Sequence, residues 1–273
     1  VGFDALTLNT TGTRLTAIGF ESLKANTTGS YNAAGGWKSL NANTTGTGNS
    51  SFGDGSLQFN TTGAENSALG QGALAANTTA SYNTGIGSAT LSFNTTGASN
   101  TATGYKALWA NTTGGSNVAM GKDTLEANTT GNDNTALGKD ALSANTTASN
   151  NTAVGGAALI ANTTGTGNTA VGQGAGEELT TASEVTLIGH RAGENITTGN
   201  NNICIGYVAG AYSTSITTGL GNTVIGNYTM PESTSTEYAN IFGYNVTGAS
   251  NYTTIGKGTA DARNAHGAST WAT

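Results

Sequence analysis

The chain has 273 residues, 42 of them glycine, with 9% charged residues, one proline and one cysteine. A net charge of −6 offers no basic surface for nucleic acid or an anionic membrane, and the lone Cys204 excludes an intramolecular disulfide framework. No apolar run approaches the roughly 20 residues that span a bilayer, and with no signal peptide or starting Met, Val1, which falls inside a repeat, reads as the start of a fragment or processed product.

From the amino terminus, glycines recur at positions 2, 19, 36, 53, 70, 87, 104, 121, 138, 155, 172, 189 and 206, an unbroken 17-residue period. Each unit reads approximately Asn-Thr-Ala-Φ-Gly-x-x-Ala-Leu-x-Ala-Asn-Thr-Thr-Gly-x-x, where Φ is aliphatic. Such arrays mark solenoids, in which each unit buries its apolar face only against its neighbours. Seventeen residues are too few for a helix–turn–helix unit, and Gly, Asn and Thr are poor helix formers. At about 3.3 Å per residue one unit holds two strands of roughly four or five residues plus two turns, the coil of an all-β parallel β-solenoid, or β-roll. About 15 coils stacked about 4.8 Å apart predict a rod of roughly 70 Å.

Residues 1–172 form the regular Asn-Thr-Thr-Gly solenoid. Counting the repeat glycine as zero, position −1 is aliphatic or aromatic (Ile18, Phe52, Leu69, Ile86, Met120, Leu137, Val154, Val171, Ile188, Ile205) and position +4 is leucine from Leu6 to Leu159. These two positions are expected to form stacked core ladders. Position −2 is mostly alanine (Ala17, Ala34, Ala68, Ala102 and their equivalents) and, by strand alternation, lies on the opposite face. A strand apolar on both faces is normally covered on both, so the alanine face is expected to be a subunit interface. Asparagines at −4 (Asn32 to Asn168) and in the Asn-Thr-Thr turns should stack as amide ladders, each bonding the next coil.

Residues 173–257 form variant and increasingly irregular coils. The turn becomes Leu179-Thr180-Thr181, Ile196-Thr197-Thr198 and Ile216-Thr217-Thr218, while the leucine ladder gives way to Gly176, Gly193 and Gly210, so core volume moves from one corner to another. Spacing then slips to 20 at Gly226, returns to 17 at Gly243 and shortens to 13 at Gly256, with Pro231 in the irregular stretch. Residues 258–273 carry no repeat and should cap or connect.

The units Asn151-Thr-Ala-Val-Gly and Asn168-Thr-Ala-Val-Gly, joined by Ala-Leu-x-Ala-Asn-Thr-Thr-Gly, resemble repeats of phage and prophage tail-fibre proteins. They are also similar to a lengthened Asn-Ser-Val-Ala-Ile-Gly repeat from the head of trimeric autotransporter adhesins of the YadA type. The resemblance covers residues 1 to 256. It implies a left-handed parallel β-roll packed as a homotrimeric fibre, at the virion surface or outside the cell, that displays or forms an element binding a host-surface glycan. The tail, Asn264 to Thr273, resembles the segment before the self-cleaving chaperone of many tail fibres, which implies a maturation cut near Thr273.

No catalytic constellation stands out, and neither an enzyme nor a cofactor is expected. His190 and His266 have no cysteine or carboxylate cluster at metal-ligand spacing. Lys122–Asp123 and Lys139–Asp140, one repeat apart, read as solvated, self-compensating charges rather than the paired carboxylates of a polysaccharide-cleaving β-helix. The turns hold neutral Asn and Thr where calcium-binding rolls need Asp. Cys204 reads as a small buried hydrophobe.

Candidate receptor contacts are aromatic. Position +1 carries Phe3, Phe20 and Trp37 on successive coils, a strip that could stack on sugar rings or serve as an inter-subunit seam, the favoured reading. The irregular region offers Tyr212, Tyr228, Tyr238 and Tyr244, where insertions leave the coil as loops. Every Asn-Thr-Thr turn is also an Asn-x-Thr sequon, so Asn9, Asn26, Asn43, Asn60, Asn77, Asn94, Asn111, Asn128, Asn145 and Asn162 are candidate N-glycan acceptors if their side chains point outward, giving a glycan-coated extracellular fibril. A further alternative is an ice-binding solenoid presenting pairs such as Thr27-Thr28 and Thr44-Thr45. The expected partners are copies of the same chain and a cell-surface glycan, with no nucleic acid and no membrane span.

Overall fold

The winding of the chain is visible in one coil, residues 100–116. Thr101–Thr103 is its strand; Ala102 is fully buried and its neighbours face outward. Gly104 follows at φ 126°, and a Cβ there would lie 2.4 Å from the Gly121 carbonyl oxygen, so only glycine turns this corner. Lys106, Leu108 and Ser116 then adopt left-handed backbone, with φ of 55°, 53° and 58°. Left-handed residues interrupt a pleat, so the rest of the coil is a chain of turns where the spacing predicts a second strand. Hydrogen bonding to the next coil persists through these turns: Leu108 N–H reaches Thr124 O at 3.0 Å, Ala110 N–H reaches Glu126 O at 3.0 Å, and Thr112 N–H reaches Thr129 O at 3.0 Å.

The computed structural model describes residues 2–258 and 260–267. The chain is an all-β parallel β-solenoid of about 14 turns with coils of about 17 residues, and it divides into two compact units, residues 1–134 and 135–273. The first unit contains β1 (Thr16–Ile18), β2 (Ala33–Gly35), β3 (Ser50–Phe52), β4 (Ser67–Leu69), β5 (Thr84–Ile86), β6 (Thr101–Thr103) and β7 (Val118–Met120). Within this unit successive strands pair in parallel, equivalent residues facing one another, as in Ala102↔Ala119.

In the second unit β8 (Thr135–Leu137), β9 (Thr152–Val154), β10 (Thr169–Val171), β11 (Thr186–Ile188), β12 (Ile203–Ile205) and β13 (Thr223–Ile225) continue in the same way. A two-residue β14 (Met230–Pro231) leaves the main sheet, β15 (Asn240–Tyr244) rejoins it, and β16 (Thr247–Gly248) pairs with β14. Then β17 (Tyr252–Lys257) lengthens to six residues, and β18 (Ala260–Ala265) runs antiparallel against it, ending the one-way stacking. Of the tail expected to precede a maturation cut, residues 268–273 lie outside those described.

The interior is lined differently from the expectation. Leucine at +4 is inside, fully buried from Leu23 to Leu159, but it faces the −2 alanines, not the −1 aliphatics. A Cβ built on Gly85, at −2, would lie 3.4 Å from Leu74 Cγ of the previous coil. Beside a leucine a coil this narrow has room for alanine, and a second large side chain would overfill it. The −1 ladder is therefore external: Ile18, Phe52, Leu69, Ile86 and Met120 are 41–58% exposed. The expected interface on the alanine face is corrected accordingly; that face is the core.

Two asparagine ladders close the coil. Asn111 Nδ2 donates to Asn94 Oδ1 at 2.8 Å and to Gly114 O at 2.9 Å, and Asn128 Nδ2 repeats the bond to Asn111 Oδ1 at 2.8 Å. Asn100 Nδ2 donates to the same Gly114 O at 2.9 Å, while its Oδ1 accepts from Asn117 N–H at 3.0 Å. These amides are fully buried and satisfy carbonyls that no strand partner reaches.

In the second unit the core changes hands. Gly176 and Gly193 replace the left-handed +4 leucines at φ 62° and 56°, and the vacated space is filled by Leu187 from position −2. A Cβ on Gly176 or Gly193 would lie 2.6 or 2.5 Å from a Leu187 methyl. Leu179, Ile196 and Ile216 take the turn position of the former asparagines, all fully buried.

Candidate functional site

The outer surface carries three kinds of ordered feature. The first is the uncovered −1 ladder, on which Phe52 fills the space left by its neighbour Gly35, where a Cβ would lie 2.7 Å from Phe52 Cδ1. In the second unit the ladder includes Val171, Ile188, Ile225 and Ile255, again well exposed. The second feature is the threonine pair of each turn. Its first member donates its hydroxyl to the next coil, as in Thr27 Oγ1 to Thr44 O at 3.0 Å, so only the second, such as Thr28, is exposed.

Aromatic side chains are the third. Of the amino-terminal strip, Phe3 and Phe20 stack at 5.8 Å between centroids with 6° between planes, and Trp37 lies beneath the Lys38 ammonium at 4.6 Å. All three are exposed. A larger cluster forms in the irregular coils. His190 and Tyr207 stack at 5.3 Å and 8°, and Tyr228 meets Tyr207, Tyr212 and Tyr244 edge-on at 5.2, 4.9 and 5.8 Å. Three of the four predicted tyrosines thus come together. Tyr238 does not: it sits at −5 on another ladder, over Gly221.

The sequence builds this cluster by insertion. Between Gly206 and Gly226 three extra residues swell the coil between Gly210 and Ile216, where regular coils have only positions +5 and +6, and Tyr212 is carried out on the bulge. Tyr207 occupies +1 directly after His190, and Tyr228 occupies +2. Beside these rings lies an open groove of about 380 Å³ lined by Arg191, Glu194, Asn195, Tyr207, Val208, Ala211, Tyr212 and Tyr228. Arg191 Nη2 is ion-paired with Glu194 Oε1, and Asn195 Nδ2 is tied to Ser215 Oγ at 2.6 Å. Burial, then the neighbouring phenols of Tyr207, Tyr244 and Tyr212, push the Tyr228 hydroxyl above its ordinary value. His190 is half-buried, and its Nδ1 is buried without a partner.

Sequence reasoning missed Arg191, Glu194, Asn195 and the use of Tyr207. The signal was the 20-residue spacing combined with polar residues at +2, +5 and +6 of the preceding coil, which face any bulge of the next one.

Other predicted positions are resolved simply. Asn26, Asn43, Asn60, Asn77, Asn94, Asn111, Asn128, Asn145 and Asn162 are fully buried, and Asn9 partly so, with Nδ2 turned into the coil. A glycan on these nitrogens would displace the ladder bonds, so the outward orientation that a coat requires is not the one adopted. Lys122 pairs with Asp123 at 2.9 Å and Lys139 with Asp140 at 3.2 Å, each as a local solvated contact. Cys204 is fully buried, and burial pushes its thiol up to about 12. Among the described residues no group of three or more His, Cys, Asp or Glu could hold a metal ion, and no helix is long and apolar enough to cross a membrane. Comparison with protein-family models finds no match for this sequence, and comparison with curated proteins finds none either.

Proposed function

We propose that the chain is the shaft of a homotrimeric extracellular fibre, of the tail-fibre or surface-adhesin kind, whose coils pack against copies of themselves through the −1 ladder and which presents a glycan-binding element. The observation that carries this reading is the column of large apolar side chains left in water. Five such residues stand in one register column of the first unit, with Phe52, Leu69 and Ile86 on successive strands and only Gly35 and Thr103 interrupting the column, and soluble monomers rarely leave such a patch open. A second copy fits because its stripe has the same 17-residue period and chemistry, and closed rotational symmetry lets every copy bury the same face. The repeat resemblance supplies the number three and the left hand.

Replacing Leu69 and Ile86 together with aspartate tests the interface, since both are external and neither fills the core. The expected result is an intact β-solenoid by circular dichroism that sediments as a monomer while the parent chain sediments as a trimer. A parent chain that is itself monomeric would remove the proposal. The exposed threonine rank favours the ice-binding alternative, but half of its hydroxyls are spent on the next coil; thermal hysteresis and ice-crystal shaping by the parent chain would revive it.

A further inference from the structure

The groove at the swollen coil has the chemistry of a saccharide site, and we propose that it binds a neutral glycan. The inference rests on the reading of the chain as a surface-exposed fibre, and names the binding element within it. Four observations converge on the same few residues.

Tyr207 and Tyr212 are well exposed yet held in place by edge-on contact with Tyr228 at 5.2 and 4.9 Å, so their rings form a rigid apolar wall. Such a wall accepts the C–H face of a pyranose without losing side-chain entropy. The facing polar wall is equally fixed. Arg191 spends one donor on Glu194 and retains others, Glu194 retains its second carboxylate oxygen, and Asn195, anchored through Nδ2 to Ser215, retains its carbonyl oxygen. Vicinal sugar hydroxyls both donate and accept, and this wall offers both partners.

Charge selects among ligands. The guanidinium and the carboxylate cancel, so the groove has no net positive charge to hold a sialic acid or a phosphate, and a neutral hexose or N-acetylhexosamine suits it best. Backbone strain falls here as well. Where the left-handed +2 position lines the groove it is filled by Arg191, Val208 and Tyr228, and Val208, at φ 54°, is the β-branched one among them, whereas the regular coils place charged residues, glycine or alanine there. A β-branched or bulky residue in that region is costly and tends to persist where function holds it.

The test is a glycan array carrying neutral and sialylated oligosaccharides, probed with the parent chain, Tyr212→Ala, Glu194→Gln and, as a control on a separate ladder, Tyr238→Ala. Saturation-transfer NMR with the best neutral glycan then measures affinity in solution. The expected result is binding of a neutral glycan by the parent and by Tyr238→Ala, weakened about tenfold or more in Tyr212→Ala and in Glu194→Gln. Tyr212 lies on the inserted bulge and Glu194→Gln preserves shape, so both variants should keep the parent circular dichroism. The proposal is overturned if no neutral glycan binds, if only sialylated glycans bind, or if both variants bind like the parent. Repeating the NMR measurement on the Leu69→Asp, Ile86→Asp chain separates this inference from the fibre reading: a parent trimer without glycan binding removes the groove alone, and a parent monomer that binds removes the trimer alone.

Discussion

At the residue scale the coil depends on backbone conformations that most side chains avoid. Positions +2, +4 and −5 are left-handed in coil after coil, occupied by Lys106, Leu108 and Ser116 in one and Ala157, Leu159 and Gly167 in another. Each non-glycine residue there costs about 1 kcal/mol or more, recovered through inter-coil hydrogen bonds and, for the leucines, burial. Ala157→Gly, at φ 57°, should therefore raise stability by up to about 1 kcal/mol in urea unfolding; Gly55, Gly72 and Gly174 already occupy that position in other coils. Gly155→Ala should cost about 3 kcal/mol or more, because φ is 135° and the added Cβ meets the Gly172 carbonyl oxygen at 2.5 Å. Cys204 gives a chemical readout. Its buried thiol should resist alkylation at pH 8 in the folded chain and react on unfolding. Because the folded pKa is raised from 9.0 to about 12, the stabilisation is present below the lower value and lost as pH climbs toward the upper one. Across that window the parent should lose about 1.4 kcal/mol per pH unit relative to Cys204→Ala.

At the scale of the element, the amide ladders convert a chain of turns into a stacked fold. Asn111→Ala removes the donor to Asn94 Oδ1, leaves that buried oxygen unsatisfied and opens a small cavity. Chemical denaturation should register a loss of about 3 kcal/mol, comparable to truncating Leu108 to alanine. These ladders were legible in the sequence because Asn, Thr and Gly repeat at fixed offsets and only stacking uses them all. The sidedness of the strand was not. Ala102 and Thr103, or Ala119 and Met120, differ by one step along a three-residue strand, and a one-residue slip inverts the faces. Size pointed the wrong way: Met120 and Ile86 looked like core, but the interior beside Leu108 or Leu74 has room at −2 for nothing larger than a small residue such as Ala102, Ala119 or Gly85. The absence of a second strand was equally hidden, since Lys106 and Leu108 are not residues that announce left-handed backbone. By contrast, the exchange of Leu159 for Gly176 with Asn162 for Leu179 was readable as a transfer of volume, and Leu187 completes it from −2.

For the whole molecule, the two proposals fall on different features, glycan binding on the irregular coils and assembly on the uncovered ladder. The insertion after Gly206 could be found by counting, and it led to Tyr212 and Tyr228, but the groove needs Arg191, Glu194 and Asn195 from the preceding coil, which only stacking brings beside them. The aliphatic ladder has the opposite history: its residues were named from the sequence as core and became surface once the coil was closed. That reversal strengthens the case for assembly, since the larger apolar face is the one left open. The most direct test is the native mass of the parent chain over a range of concentrations. The account predicts a species of three times 27.0 kDa that collapses to 27.0 kDa when Leu69 and Ile86 become aspartate; a parent chain that stays at 27.0 kDa throughout would contradict it.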